Sequence, residues 1–437
     1  MDALPLIFFA TVLFLLLAGF PVAFTLGGVS IIFGLLTFGF DFFQLLPLRI
    51  WGIMNNYILL AVPLFIFMGV MFEKSGLAEE LLETMALLFG KLRGGLAISV
   101  LIVGAMLAAA TGIVGATVVT MGVLALPTML KRGYDPKVAT GIISASGTLG
   151  QIIPPSIVLV LLGSVLNISI GDLFIAAIIP GFILVFLFFI WLIIIALFKP
   201  KLAPAMPQSE LDKFQGLAKF KKISISFIAP FILIVSVLGS IFAGIASPTE
   251  AAAIGALGAT ILTMVRGKFS IEKLKSVMKG TTTLTSMAFL ILIGATAFGL
   301  VFRGMGGDRV LTNLILSSNL EAHHFLIIVM LIIFIAGFFI DFIEITFIIV
   351  PVVAPIFVHL NIDLLWVGIL IAVNLQTSFL TPPFGFALFF LKGVAPKEIT
   401  TEHIYKGVFP YVIIQLIGLI LIMLFPQIVL WLPRVLK

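Results

Sequence analysis

The 437-residue chain contains no cysteine, only four histidines, and only 10% charged residues. Without cysteine there are no disulfides, thiolate metal sites, iron–sulfur clusters or thiol nucleophiles. His323 and His324 are adjacent and point different ways on a helix. Neither they nor His359 and His403 fall in a ligand spacing such as H-E-x-x-H, which argues against haem and zinc. No P-loop, G-x-S-x-G or dinucleotide fingerprint occurs, so nothing in the sequence supports ATP hydrolysis or enzymatic chemistry. Any energy source must lie elsewhere, most simply in an ion gradient. Soluble proteins average about 25% charged residues. Here 62% of residues are hydrophobic, more than a water-soluble fold of this size can hide.

The chain therefore reads as an all-α polytopic membrane protein. Crossing a bilayer core takes roughly 20 apolar residues of helix, and the apolar stretches supply about twelve crossings or half-crossings. They are 4–19, 22–40, 50–72, 95–130, 138–166, 172–198, 223–246, 249–265, 281–302, 325–358, 364–391 and 405–433. Several exceed one span, and others carry Pro or Gly at mid-depth, as at Gly112, Pro154-Pro155 and Pro382-Pro383. Met1-Asp2-Ala3-Leu4-Pro5 lacks a basic n-region and reads as the start of the first span. The net charge of +6 sits in short loops and reports membrane orientation, not affinity for nucleic acid.

Charge placement organises the chain. Lys199–Lys222 holds six lysines, Glu210 and Asp212 and forms a basic cytoplasmic linker between an N-terminal unit, 1–198, and a C-terminal unit, 223–437. Arg266–Lys279 is a second basic stretch, two spans further on. Pro127, Asp135, Pro154 and Pro155 recur as Pro355, Asp363, Pro382 and Pro383, all at an offset of 228; Pro21 and Gly28 recur as Pro248 and Gly255, at 227. In two corresponding pairs of loops one copy is basic and the other is not. The stretch 266–279 matches 39–52, and 131–137 matches 359–365. Equivalent loops on opposite sides of the membrane would show that contrast, so the two units read as inverted repeats. Such repeats place substrate and ions near the midplane, where discontinuous helices meet.

Two segments stand out as candidate chemistry. One runs from Ser144 through Ser146, Gly147, Thr148 and Gly150 to Pro154-Pro155; its repeat partner runs from Asn374 through Gln376, Thr377, Ser378 and Thr381 to Pro382-Pro383. Each is a hydroxyl-rich patch in an apolar run, closed by two residues that lack an N–H and so free carbonyls of the preceding turn. Irregular backbone at membrane depth survives only inside protein or beside a wet cavity. Hydroxyl and carbonyl oxygens are hard donors suited to Na⁺; a kinked helix that merely packs is the blander reading. Thr111-Gly112-Ile113-Val114-Gly115-Ala116-Thr117 is either a close-packing small-residue stretch or an unwound ion site. Asp341 and Glu344 lie three apart on one face of an apolar helix, for coupling or gating or as part of a structural ion pair. Glu250, behind Ser247-Pro248-Thr249, reads as a helix-start acid. Glu73–Arg93 is amphipathic and reads as an interfacial helix.

These motifs carry a resemblance over nearly the whole chain. The carriers, in order, are Val62-Pro63-Leu64-Phe65-Ile66-Phe67-Met68-Gly69, Gly147-Thr148-Leu149-Gly150-Gln151-Ile152-Ile153-Pro154-Pro155-Ser156, Ile170-Gly171-Asp172-Leu173-Phe174 with Pro180-Gly181, Ser247-Pro248-Thr249-Glu250-Ala251-Ala252-Ala253, and Leu380-Thr381-Pro382-Pro383-Phe384-Gly385. Together they resemble the large membrane (M) subunit of tripartite ATP-independent periplasmic (TRAP) transporters. The resemblance implies a bacterial inner-membrane protein that couples Na⁺ flow to uptake of an organic anion. It implies two partners, a periplasmic substrate-binding protein (P) and a small four-helix membrane subunit (Q). It also implies an elevator, in which a scaffold holds still and a transport domain with two re-entrant hairpins moves. Sodium ligands implied by the family are oxygens around Thr111, Gly112, Gly147, Thr148, Gly150, Thr377, Ser378, Thr381 and Pro382. Ser144, Ser146, Pro154, Pro155, Asn374, Gln376, Pro383, Asp341 and Glu344 remain as substrate or gating candidates. Many members read Gly-Ser-Ser where this chain has Gly112-Ile113-Val114, which removes two hydroxyl ligands. A standalone Na⁺/carboxylate symporter of the related ion-transporter superfamily is the alternative.

Overall fold

The computed structural model describes residues 3–207, 223–317, 321–382 and 385–436. Pro383 and the linker beyond residue 207 lie outside these. Among the described residues every regular element is a helix. The first half contains α1 (Leu4–Leu17), α2 (Val22–Phe38), α3 (Leu45–Met54), α4 (Ala61–Lys74), α5 (Leu77–Phe89), α6 (Gly95–Thr111), α7 (Val114–Lys131), α8 (Pro136–Thr148), α9 (Ile157–Leu166) and α10 (Ile170–Phe198). The second half contains α11 (Ala229–Phe242), α12 (Pro248–Val265), α13 (Ile271–Gly304), α14 (Gly307–Ser317), α15 (Ala322–Ala336), α16 (Phe342–Ile348), α17 (Val350–His359), α18 (Leu364–Leu380), α19 (Phe386–Val394), α20 (Thr401–Leu424) and α21 (Gln427–Leu436).

The overlong apolar stretches break where the sequence carries Gly or Pro. The run 95–130 splits into α6 and α7 at Gly112, whose φ of +61° is a left-handed helix end. Its N–H reaches the Ala108 carbonyl at 2.8 Å, closing the last turn of α6. The run 138–166 splits at 149–156, and 364–391 splits after Leu380. Between α16 and α17 the axis bends by 50°. These breaks set the span count. Among the described residues six helices are long and apolar enough to cross a membrane alone, or seven with the bent pair, out of about twelve crossings and half-crossings expected from hydropathy. Eight other apolar helices are shorter, at 10–17 residues.

Helix limits run in step through the two halves. Val114 and Phe342 open α7 and α16 at a separation of 228, as do Pro136 and Leu364 for α8 and α18. Asp135 and Asp363 cap these last two, accepting from the N–H of Lys137 and of Leu365, each at 2.8 Å.

Two groups of helices pack together. In one, α2 and α4 lie against α13, and α12 lies against α4; in the other, α8 is surrounded by α6, α7 and α20, and α18 by α9, α15 and α20. Every residue of Val138–Thr148 and Val367–Leu380 is buried, so α8 and α18 are enclosed on all sides. Outer faces carry Phe24, Leu36, Phe182 and Phe198, all more than two-thirds exposed. Apolar exposure of that extent is a lipid-facing surface.

The amphipathic segment 73–93 is not one helix lying free at an interface. It breaks at Ser75-Gly76, and α5 buries Leu77, Leu81, Leu82 and Met85, packing on α6. On its polar side Glu80 pairs with Lys268 at 2.6 Å and with Arg266. Burial holds both cations below their ordinary pKa values.

Candidate functional site

The hydroxyl-rich segments predicted from sequence occupy the two enclosed helices at their interruptions. The last turns of α8 carry Ser144, Ser146, Gly147 and Thr148. One tight turn follows through Gly150 and Gln151, and the chain then leaves helical geometry until Ser156 caps α9. Pro154 and Pro155, joined by a cis peptide, give no N–H to the turn before them; Ser156 Oγ supplies a donor to the Gln151 carbonyl at 2.8 Å. In the second half Asn374, Gln376, Thr377 and Ser378 lie on the last turns of α18, and Thr381 is extended with a ψ of 124° before Pro382.

The hydroxyls of these segments give their protons to nearby carbonyls. Ser146 donates to Ile143 at 3.2 Å, Thr148 to Ala145 at 2.9 Å, Thr377 to Val373 at 2.8 Å, Ser378 to Leu375 at 2.9 Å and Thr381 to Thr377 at 2.7 Å. A hydroxyl that has donated keeps its lone pairs, which suits it to accept a hydrogen bond or bind a hard cation.

Glycines set the distance at which the neighbouring helices approach. A methyl at Gly104 on α6 would overlap Ser146, and one at Gly337, just after α15, would overlap Ser378. The same small-against-hydroxyl contact thus occurs once in each half. At the tip between α6 and α7, Thr111 and Thr117 hydroxyls meet at 2.8 Å across Gly112. Gly69 on α4 backs this tip, with no room for a side chain against the Thr111 backbone. Both readings of Thr111-Gly112 therefore have a physical basis, since the segment is close-packed and also breaks the helix.

Asp341 and Glu344 are placed differently from the sequence expectation. They do not lie on a continuous helix, because the chain stops being helical after Ala336 and restarts at Phe342. Asp341 is the cap of α16, accepting from Phe342 N–H at 2.7 Å, and Glu344 reaches back to the Asp341 N–H at 3.1 Å. The pair is a capping box. It sits at the tip between α15 and α16, where the first half has Gly112-Ile113. Ser247 and Glu250 form the same box at the start of α12, in keeping with the sequence reading of Glu250. If capping is the role of Asp341, Asp341→Asn retains folded yield and transport. Asp341→Ala then costs about 0.5–2 kcal/mol, read by thermal unfolding of the purified protein. An Asn variant that folds but does not transport would show that the charge itself is used.

Several buried amides and hydroxyls surround these interruptions, and of them Gln415 and Thr346 escaped the sequence reading. Gln151, between α8 and α9, and Gln376, on α18, are fully buried, and neither amide atom of either has a hydrogen-bond partner among the described residues. Gln376 is a candidate on sequence grounds, whereas Gln151 is one residue of the Gly147–Ser156 motif. Gln415, alone in the apolar run of α20, donates to Thr148 Oγ1 at 3.3 Å while its carbonyl oxygen is left over. Asn374 donates to the Met330 carbonyl at 2.6 Å with its own oxygen unpartnered, and the Ser144 and Thr346 hydroxyls are buried without partners among the described residues. The signal was present for Gln415, since an amide in a membrane helix is costly and rarely idle.

Comparison with known proteins bears on what this buried polar region serves. Residues 9–428 match the family model described as tripartite ATP-independent periplasmic transporter, DctM component. The chain belongs to this family. A C4-dicarboxylate TRAP transporter large permease protein from Vibrio cholerae serotype O1 is 30% identical, spanning 98% of this chain and 97% of its own length. A sialic acid TRAP transporter large permease from the same organism is 30% identical over 96% of each chain. The YdaH transporter of Alcanivorax borkumensis, at 14% identity, shares the fold with a TM-score of 0.58 over 85% of each chain. The protein is thus the large permease component of a TRAP transporter, a multi-pass membrane protein whose relatives are permeases and not enzymes.

Proposed function

We propose that this TRAP permease couples inward Na⁺ flow to uptake of an organic carboxylate. The observation that carries the reading is the gathering of unpartnered buried amides and proton-donating hydroxyls around the interruptions of α8 and α18. A buried unpaired polar group costs about 1–3 kcal/mol, so such a concentration is hard to maintain without a bound species. The donor set is chemically apt for Na⁺, because it is neutral, oxygen-rich and built from hydroxyl, amide and carbonyl groups. In this reading Na⁺ is the coupling ion, held by oxygens of Thr111, Gly112, Gly147, Thr148, Gly150, Thr377, Ser378, Thr381 and Pro382. Ser144, Ser146, Asn374 and Gln376 face the solute or its gate. Asp341 and Glu344 stiffen the start of α16 beside that gate. The two halves act as inverted repeats, α6–α7 and α15–α17 are the re-entrant hairpins, and the hairpin-bearing group moves as an elevator against the group built on α2, α4, α12 and α13.

The relatives named for C4-dicarboxylates and sialic acid make a carboxylate-bearing solute the expected class. In a tripartite system a periplasmic binding protein delivers it, and a small membrane subunit supports the permease in the bacterial inner membrane. Uptake is measured in proteoliposomes containing the binding protein and small subunit. Collapse of the Na⁺ gradient is expected to abolish it. Thr381→Ala is expected to raise the Na⁺ concentration needed for half-maximal uptake by about ten-fold, the equivalent of one hydrogen bond to a charged species, whereas Ser146→Ala is expected to raise the solute concentration needed. Uptake indifferent to the gradient removes Na⁺ coupling, and uptake without the binding protein favours a standalone symporter.

A further inference from the structure

A second polar feature lies away from the buried amides. A cavity of about 340 Å³ opens between α3 and α13 on one side and α9, α16 and α17 on the other. Its lining includes Arg49, Arg303, Asn56, Ser164 and Thr296. Guanidinium groups are rare in this chain's apolar regions, yet two face one space. Arg303 folds back over Gly299 one turn earlier, where a side chain would meet its guanidinium nitrogen at 3.2 Å. Asp308 also lines the cavity beside Arg303, whereas the lining gives Arg49 no carboxylate of its own. Asn56 and Ser164 join the two walls through a hydrogen bond of 3.5 Å.

The side of the membrane follows from α13. This helix has 34 residues, about 50 Å of rise, more than a bilayer core of about 30 Å. It starts in the basic stretch Arg266–Lys279 and ends at Gly304 beside the cavity. Positive charge marks the cytoplasmic side, which puts the cavity at the outer face. Its volume falls within the range of small-molecule sites, and an arginine fork matches a carboxylate in shape as well as charge.

We propose that this cavity is an outer vestibule for the carboxylate solute, with Arg49 and Arg303 taking the acid group and Asn56, Ser164 and Thr296 taking its hydroxyl or amide groups. The assignment rests on the transport function proposed above and names the place where the solute first meets the permease.

The absence of native cysteine allows a direct test. Ser164→Cys is introduced into the full-length chain, and spheroplasts are treated with a membrane-impermeant maleimide, with modification read at residue 164 by mass spectrometry. Labelling from outside is expected, and added succinate or N-acetylneuraminate should slow it. In Arg49→Gln and Arg303→Gln backgrounds the half-protecting concentration should rise by about ten- to a hundred-fold, as for loss of a charge-assisted pair. Arg303→Lys should retain part of the protection, which separates charge from folding. No labelling from outside, no slowing by either acid, or equal slowing in the Gln variants overturns the vestibule. So does protection by the binding protein alone, which would make the cavity a docking surface. The labelling needs no ion gradient. Failure of Na⁺ coupling in the uptake assay would therefore leave it standing, and failed protection in a chain that still takes up solute with Na⁺ would refute the vestibule alone.

Discussion

Replacing Gln376 or Gln151 by leucine is expected to make the protein more stable and to stop it transporting. Both side chains are fully buried, and both amide atoms of each lack partners among the described residues. An apolar group of similar size removes the unmet desolvation cost, so thermal unfolding should shift upward by the equivalent of about 1–3 kcal/mol for each site. The stability gain should come with uptake reduced by more than about ten-fold, because a well-packed apolar core would not keep such groups. The stability measurement is the sharper arm. A leucine variant that unfolds earlier than the native chain would show that the amides are satisfied in the folded protein and would remove the main support for a polar site there. Gln415→Leu is predicted to behave differently. Its amide nitrogen bonds Thr148, so the substitution breaks a contact as well as removing an orphan oxygen, and its net effect on stability should be small.

The second large effect is expected where α8 crosses α20. Gly141 and Gly407 meet backbone to backbone: a methyl on Gly141 would overlap the Gly407 carbonyl, and one on Gly407 would overlap the Lys137 carbonyl. Backbone atoms cannot rotate away as a side chain can, so the two helices must separate. Gly141→Ala and Gly407→Ala should each destabilise at the upper end of the about 1–3 kcal/mol range for overpacking. The effect would be visible as a lower unfolding temperature and reduced folded yield. Gly239→Ala on α11 is the control. A methyl there meets nothing within 4 Å, so stability should hold or rise by about 0.5–1 kcal/mol. Equal losses at all three positions would show that the crossing is not the determinant. The crossing matters for function because α8 carries Ser144, Ser146 and Thr148 one to two turns beyond Gly141.

The features legible in the sequence were those governed by local rules. Pro154-Pro155 and Pro382 interrupt helices because proline has no N–H, whatever surrounds it. Gly112 ends α6 because its left-handed geometry is open to glycine and strained for other residues. The basic linker, the carboxylate at the start of α12 and the recurrence at an offset of 228 are likewise properties of the chain read in order. Hydropathy left crossings and half-crossings undistinguished, because a window of apolar residues cannot tell a crossing from a pair of half-helices that meet at a break. Asp341 and Glu344 were assigned to a continuous helix for the same reason. No proline marks positions 337–341; only Gly337 signals the break, and Phe338, Phe339 and Ile340 continue the apolar run up to Asp341.

Sequence by itself determined that this is a membrane protein with interrupted helices, low in charge and without cysteine chemistry. Those conclusions follow from transfer free energies and backbone donor counts, which are additive along a chain. Only the tertiary structure decided which glycine meets which serine, which amides are left without partners, and that Arg49 and Arg303 share a cavity though far apart in sequence. Such relations depend on how helices cross, and a crossing is set by the fit of whole faces, which no single residue or spacing encodes.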